Sequence, residues 1–155
     1  MATVAFATEW ETPIDVVQVA VVGDNAYATL EDAFADQIEA GAEYAVTQLF
    51  YDNRKYFQFV EKVRAAGINI PIIPGIKPFR KQSQLSVIPK TFKVDIPQEL
   101  ALEALKCTTE KETERLGIEW CIQQCKELIK HGVPSIHFYS VGAVESIKEV
   151  AKVIY

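Results

Sequence analysis

The first 53 residues contain neither lysine nor arginine. Ten acids give that stretch a charge of −10, whereas the sixteen basic residues of 54–155 face eleven acids, a balance of +5. The bases that do occur are interleaved with acids and form no stripe, so no nucleic-acid partner is expected. No apolar run reaches the ~18 residues of a membrane span, and no basic segment opens the chain as in a signal peptide. A cytoplasmic protein without a membrane partner is the expectation. Cysteine is scarce: Cys107, Cys121 and Cys125 are odd in number and form no C-x-x-C pair. That excludes a disulfide framework and argues against a metal site; Cys121 and Cys125, four apart, should share the apolar face of a helix as reduced thiols. No P-loop, G-x-G-x-x-G or Ser-His-Asp set is present.

What is present reads as one α/β domain spanning 1–155. An apolar fraction of 49% and a charged fraction of 24% are ordinary for a globular chain. TVAFATEW and DVVQVAVVG read as strands joined by the turn-like ETPID, a link short enough for a hairpin. LEDAFADQIEAGAEY is a helix with Thr29 as cap and Gly41 as stop. The strand EYAVTQLF follows, then a helix capped by Asp52 or Asn53, with Tyr56, Phe59, Val60 and Val63 on one stripe. INIPIIPGI is a short apolar strand in which Pro71 and Pro74 predict a bulge or an early exit from pairing. Residues 77–92 read as irregular or short-helical, and IPQELALEALK as a helix. A long helix near 110–131 turns Leu116, Trp120, Cys121, Ile122, Cys125, Leu128 and Ile129 toward a core. SIHFYSV and VESIKEVAKVIY are a last strand and helix. Alternating strands and helices predict a mostly parallel sheet covered on both faces, with too few strands to close a barrel.

YAVTQLFYDN carries the most chemical information. The C-terminal end of a strand is where α/β proteins place ligand chemistry, and Gln48 falls there. Its uncharged amide donates and accepts at once, which suits a neutral heteroaromatic ring; the alternative is a satisfied polar group at a strand end. Asp52 reads as a helix cap, His137 as a core histidine and Lys77 as a solvated lysine. Ser140-Val141-Gly142-Ala143 could offer N–H groups to an anion, and Gly23-Asp24-Asn25 reads as a simple turn.

From Gly41 onward the chain resembles the C-terminal half of bacterial methylenetetrahydrofolate reductase. The resemblance rests on GAEYAVTQLFYDNRKYFQFVEKVRAAGINIPIIPGIKP, the Gln84 region and GIEWCIQQCKELIKHGVPSIHFYSV, which carry T-Q-x-F-F/Y-D, I-I-P-G-I-x-P and H-F-Y in order over roughly 40–155. That family is a (β/α)8 barrel holding FAD and using a nicotinamide cofactor. The resemblance implies that Gln48 is a folate-binding residue and that Gln84 lies on the substrate and nicotinamide side of the flavin; physically, an amide suits a pterin edge and an aromatic such as Phe50 can support a flat ligand. The family's catalytic glutamate strand and R-G-D motif have no match here. Its FAD-holding helix positions are replaced by Leu30, Ala33, Asp36 and Gln37, so no cofactor is expected unless the FAD site survives those changes. Together with the charge asymmetry, this predicts a seam near residue 40, with 1–40 foreign or redesigned. The expectation is a recombined or engineered protein without catalysis: a half-barrel completed by added strands into an open, flavodoxin-like sheet, or paired as a homodimer. The alternatives are a FAD-dependent reductase fragment and a residual folate- or flavin-binding module.

Overall fold

The computed structural model describes residues 2–7, 19–21, 30–39 and 41–155. In chain order these form β1 (Ala2–Ala7), β2 (Val19–Val21), α1 (Leu30–Glu39), β3 (Tyr44–Leu49), α2 (Asn53–Ala65), β4 (Ile72–Ile76), α3 (Gln84–Phe92), α4 (Gln98–Lys106), α5 (Glu110–Lys130), β5 (His137–Phe138) and α6 (Val144–Ile154). The expected ETPID turn, the Thr29 cap and the Gly23-Asp24-Asn25 loop lie outside the described residues.

The sheet runs β2-β1-β3-β4-β5. That is the strand order of flavodoxin-like sheets, but β1 pairs antiparallel with both β2 and β3, and only β3, β4 and β5 run parallel. The sheet is mixed, not mostly parallel. Nor do the described helices cover both faces. One core cluster joins Phe34 of α1, Tyr56 and Val63 of α2, Cys121, Cys125 and Leu128 of α5 and Val150 of α6 to Ala45, Ile72 and Ile76 of the strands. Ala45 and Ile72 are register partners, so these helices share one face. On the other face Tyr44, Val46 and Gln48 alternate with buried Ala45, Thr47 and Leu49 and are only half-buried.

Local signals explain the elements that matter to that end of the sheet. Asp52 caps α2 by accepting from the Arg54 N–H at 3.0 Å, leaving Tyr56 and Val63 on the buried stripe. Thr109 and Glu112 close a capping box at the start of α5. Cys121 and Cys125 are buried free thiols on one face, as their spacing predicts, while Ile129 is 42% exposed rather than in the core. Beyond the strand ends a second cluster gathers Leu49, Tyr51, Phe79, Ile88, Leu100 and Ala104 under α3, α4 and α5. Gly117 lets α5 lie directly on the chain there, because a Cβ at that position would fall 1.5 Å from the Phe79 carbonyl oxygen. The strand expected over SIHFYSV is reduced to two residues, and His137 is exposed rather than buried in a core.

Candidate functional site

β3 and β4 pair regularly through Ala45–Ile72 and Val46–Ile73, then resume at Leu49–Gly75. Thr47 and Gln48 therefore stand opposite the single residue Pro74, which is a bulge in β3. Proline explains it: Pro74 has no N–H to offer the ladder, so the pairing slips where a donor is missing. The bulge expected from the prolines of INIPIIPGI is thus present, although the extra residue sits on the neighbouring strand.

Side chains take over where the ladder fails. The Gly75 N–H donates to Thr47 Oγ1 at 2.9 Å. From the residue that follows β5, the Tyr139 hydroxyl donates to the Thr47 carbonyl oxygen at 2.9 Å. Gly75 makes both possible, since a Cβ there would meet Thr47 O at 2.2 Å and the Tyr139 ring at 2.6 Å. Burial raises the Tyr139 pKa, keeping the hydroxyl protonated as a donor.

This junction presents Gln48. Its Oε1 accepts from the Leu49 N–H at 3.0 Å, and its amide NH2 has no partner among the described residues. The half-buried side chain lines a cleft of about 120 Å³ together with Phe50, Tyr56, Phe59, Lys55 and Lys93. Phe50 and Tyr56 stack there at 5.5 Å and 9°. Tyr56 is fixed by donating to Ile72 O at 2.6 Å, and burial pushes its pKa up to about 12. The volume is well under the ~300–1,000 Å³ typical of whole-ligand pockets, so the cleft can hold one edge of a flat ring system rather than an entire large ligand.

The chain leaving β3 is clamped by α5. Gln124 Nε2 donates to Phe50 O at 2.9 Å, and Trp120 Nε1 to Tyr51 O at 3.1 Å. Asn53 Nδ2 returns bonds to Gln124 O at 3.0 Å and Glu127 Oε2 at 2.7 Å. Tyr51 is buried in the second cluster with its hydroxyl unpartnered, and burial pushes its pKa upward.

The other residues marked by the sequence are placed elsewhere. Gln84 lies outside the lining of the cleft; its Oε1 accepts from the Arg80 and Lys81 N–H groups at 2.6 and 3.0 Å, bracing the loop before α3. Lys77 is half-buried rather than solvated, with Nζ on the Val141 carbonyl at 2.5 Å, and burial followed by the Arg80 charge lowers its pKa. Ser140 to Ala143 form a turn closed by Ala143 N on Ser140 O at 2.8 Å. Leu30, Ala33, Asp36 and Gln37 lie on α1, a helix with four acids and no base in its sequence LEDAFADQIE. Among the described residues no cluster of His, Cys, Asp and Glu is placed to hold a metal, and no helix is long and apolar enough to cross a membrane. Thr47, Gly75 and Tyr139 are the site residues that sequence reasoning missed. Their motifs were visible, but nothing local says that Tyr139 reaches a carbonyl 92 residues away.

An amide and an aromatic pair at the C-terminal end of a parallel strand, with helices packed behind it, occupy the place where α/β domains, barrels and open sheets alike, bind their ligands. The profile for methylenetetrahydrofolate reductase matches residues 19–154, and the chain belongs to that family. It is 38% identical over 116 residues to methylenetetrahydrofolate reductase 1 of Schizosaccharomyces pombe, covering 74% of this chain and 19% of that protein. It is 33% identical over 110 residues to the 5,10-methylenetetrahydrofolate reductase of Escherichia coli, covering 70% of this chain and 37% of that one. The chain thus spans from about a fifth to under two-fifths of these relatives. A solved Clostridium thermocellum protein, described as binding two copies of 5-methyl-5,6,7,8-tetrahydrofolic acid, superposes with a TM-score of 0.58 at 18% identity over 81% of this chain and 48% of its own. That likeness shows the fold. The expectation of a recombined or engineered protein without catalysis is overturned. The family match begins at residue 19, inside the stretch expected to be foreign, and the named relatives are reductases. Charge asymmetry records the composition of a segment, not its origin.

Proposed function

We propose that this chain supplies the folate-recognising side of a methylenetetrahydrofolate reductase site. The observation that carries the proposal is the amide NH2 of Gln48, unpartnered among the described residues and held at a strand-end bulge beside the Phe50–Tyr56 stack. An amide that still has donors to give, next to an aromatic wall, matches the alternating donors and acceptors along a pterin edge. The small cleft takes that edge and leaves the remainder of the folate to other surfaces. The helices packed on one face of β3 and β4 support viewing the sheet as part of a barrel, with Gln48 on the lumen side.

The FAD implied by the family does not fit the residues present. The sequence of α1 carries four acids and no base, a charge that opposes a diphosphate, so no flavin step is assigned here. Binding and orienting the folate is the part of the reaction proposed here. Titration of 5-methyltetrahydrofolate by calorimetry should give saturable binding that Gln48→Ala weakens about tenfold, the equivalent of one well-formed hydrogen bond. Equal affinity in the variant would remove Gln48 from the site and the proposal with it.

A further inference from the structure

β1 pairs with β3 as far as Val4–Thr47, but on the β4 side the ladder leaves the peptide between Thr47 and Gln48 without a backbone partner. Pro74, the residue opposite, carries no N–H, and the pairing shifts register between Val46 and Leu49. A peptide unit is planar, so whatever fixes the Thr47 carbonyl also fixes the direction in which the chain enters Gln48. Tyr139 O–H is bonded to that carbonyl oxygen at 2.9 Å. The tyrosine is well braced: its own N–H continues the pairing by donating to Ile76 O at 2.9 Å, and its ring meets the His137 ring edge-on at 4.8 Å. Gly75 is the gap through which it reaches.

We propose that Tyr139 is the positioning residue of the folate site, acting through the Thr47 carbonyl to aim the Gln48 amide into the cleft. Tyr139 does not line that cleft, so its effect on a ligand passes through Gln48. On this view the H-F-Y, P-G-I and T-Q motifs form one device. Tyrosine supplies the donor, glycine supplies the passage, and threonine carries both the acceptor for Tyr139 and the acceptor for the Gly75 N–H.

The inference rests on the folate proposal, and two measurements separate their failures. The first is a double-mutant cycle with 5-methyltetrahydrofolate. Tyr139→Phe keeps the ring and should weaken binding about three- to tenfold in the otherwise unchanged protein, yet cause no further loss in the Gln48→Ala background. An equal loss in both backgrounds would show that Tyr139 acts independently of Gln48, and no loss in either would show that it does not act; both overturn the inference. The second needs no ligand. In a 15N-labelled protein, Tyr139→Phe should shift the Gln48 side-chain amide resonance and lower its heteronuclear NOE, while the resonances of Ala45 and Ile72 stay in place. An unmoved Gln48 signal overturns the positioning role even if folate does not bind. A folate affinity insensitive to Gln48→Ala, with that signal displaced, would instead remove the ligand and keep the device.

Discussion

Tyr44 to Val46 and Thr47 to Asn53 are consecutive stretches of one chain segment held by different kinds of bond. The first stretch lies in a regular sheet, paired to Ala5, Phe6 and Ala7 of β1 on one side and to Ile72 and Ile73 of β4 on the other. The second keeps a sheet partner only at Thr47, opposite Val4 of β1, and is otherwise held by Tyr139, by Gln124 and Trp120 of α5, and by the Gly75 N–H. Backbone pairing tolerates many side chains because every residue brings the same N–H and C=O. A junction made of side chains tolerates few. The segment that presents Gln48 is therefore the one most exposed to single substitutions, and also the one where geometry can be set independently of the sheet.

Gly75→Ala tests this most severely. The added methyl meets a backbone oxygen at 2.2 Å and an aromatic ring at 2.6 Å, and neither can move without opening the junction. A loss of about 3 kcal/mol is expected, at the upper end of overpacking costs. Val46→Ala on the regular stretch removes half-buried methyl groups and leaves the ladder intact, for about 1 kcal/mol. Urea denaturation, read as the shift of midpoint at unchanged slope, measures both. Similar losses at the two positions would mean that the regular and irregular stretches are equally tolerant, against the contrast drawn here.

The same contrast decides what could be read from the sequence. α2, α5 and the buried face of β3 follow from apolar spacing, caps and stop residues that lie within a few positions of one another. The bulge was legible because its cause, Pro74, is local to the pairing. The sheet's direction was not: nothing in TVAFATEW says that β1 inserts antiparallel against β3, since the same apolar run suits either orientation. Gln48 could be singled out from its place at a strand end and from the family motif. Gln84 was singled out in the same way, yet its carbonyl is occupied by Arg80 and Lys81 backbone groups, a partnership that depends on how the loop folds. Tyr139 could not be found at all without knowing which carbonyl lies in front of it.

Tyr56 joins the two stretches, since it stacks on Phe50 and donates to Ile72 O on the regular side. Tyr56→Phe should keep the stack and lose the hydrogen bond, at a cost of about 1 kcal/mol near neutral pH. Its pKa is pushed up to about 12 by burial, from the ordinary 10.0. The protonated hydroxyl thus contributes stability that is complete below the unfolded value and is lost as pH rises through the folded one. The difference between the native protein and the variant should be steady up to the ordinary tyrosine range and close between there and about pH 12. Tyr51 and Tyr139 are raised as well but are common to both proteins, so the difference isolates Tyr56. A gap that stays constant through that window would assign the alkaline loss to the other two.

Asp52 closes the irregular stretch and should show the smallest effect. Its carboxylate caps α2 through the Arg54 N–H and pairs with the Arg54 side chain at 2.8 Å. Asparagine caps a helix about as well as aspartate, so Asp52→Asn keeps the cap and removes only the charge, lowering Tm by no more than about 2 °C. The hydrogen bond from the Arg54 side chain, ahead of the opposing cost of burial, holds the Asp52 pKa below its usual value. A depressed carboxylate contributes stability that is present above the unfolded pKa and lost as pH falls through the lower, folded one. Melting curves of the two proteins should therefore differ slightly at neutral pH and coincide in strong acid. If the variant instead loses folate affinity without losing stability, the charge at the cleft mouth, and not the cap, is what Asp52 contributes, and the irregular stretch would extend its influence from Gln48 to the first turn of α2.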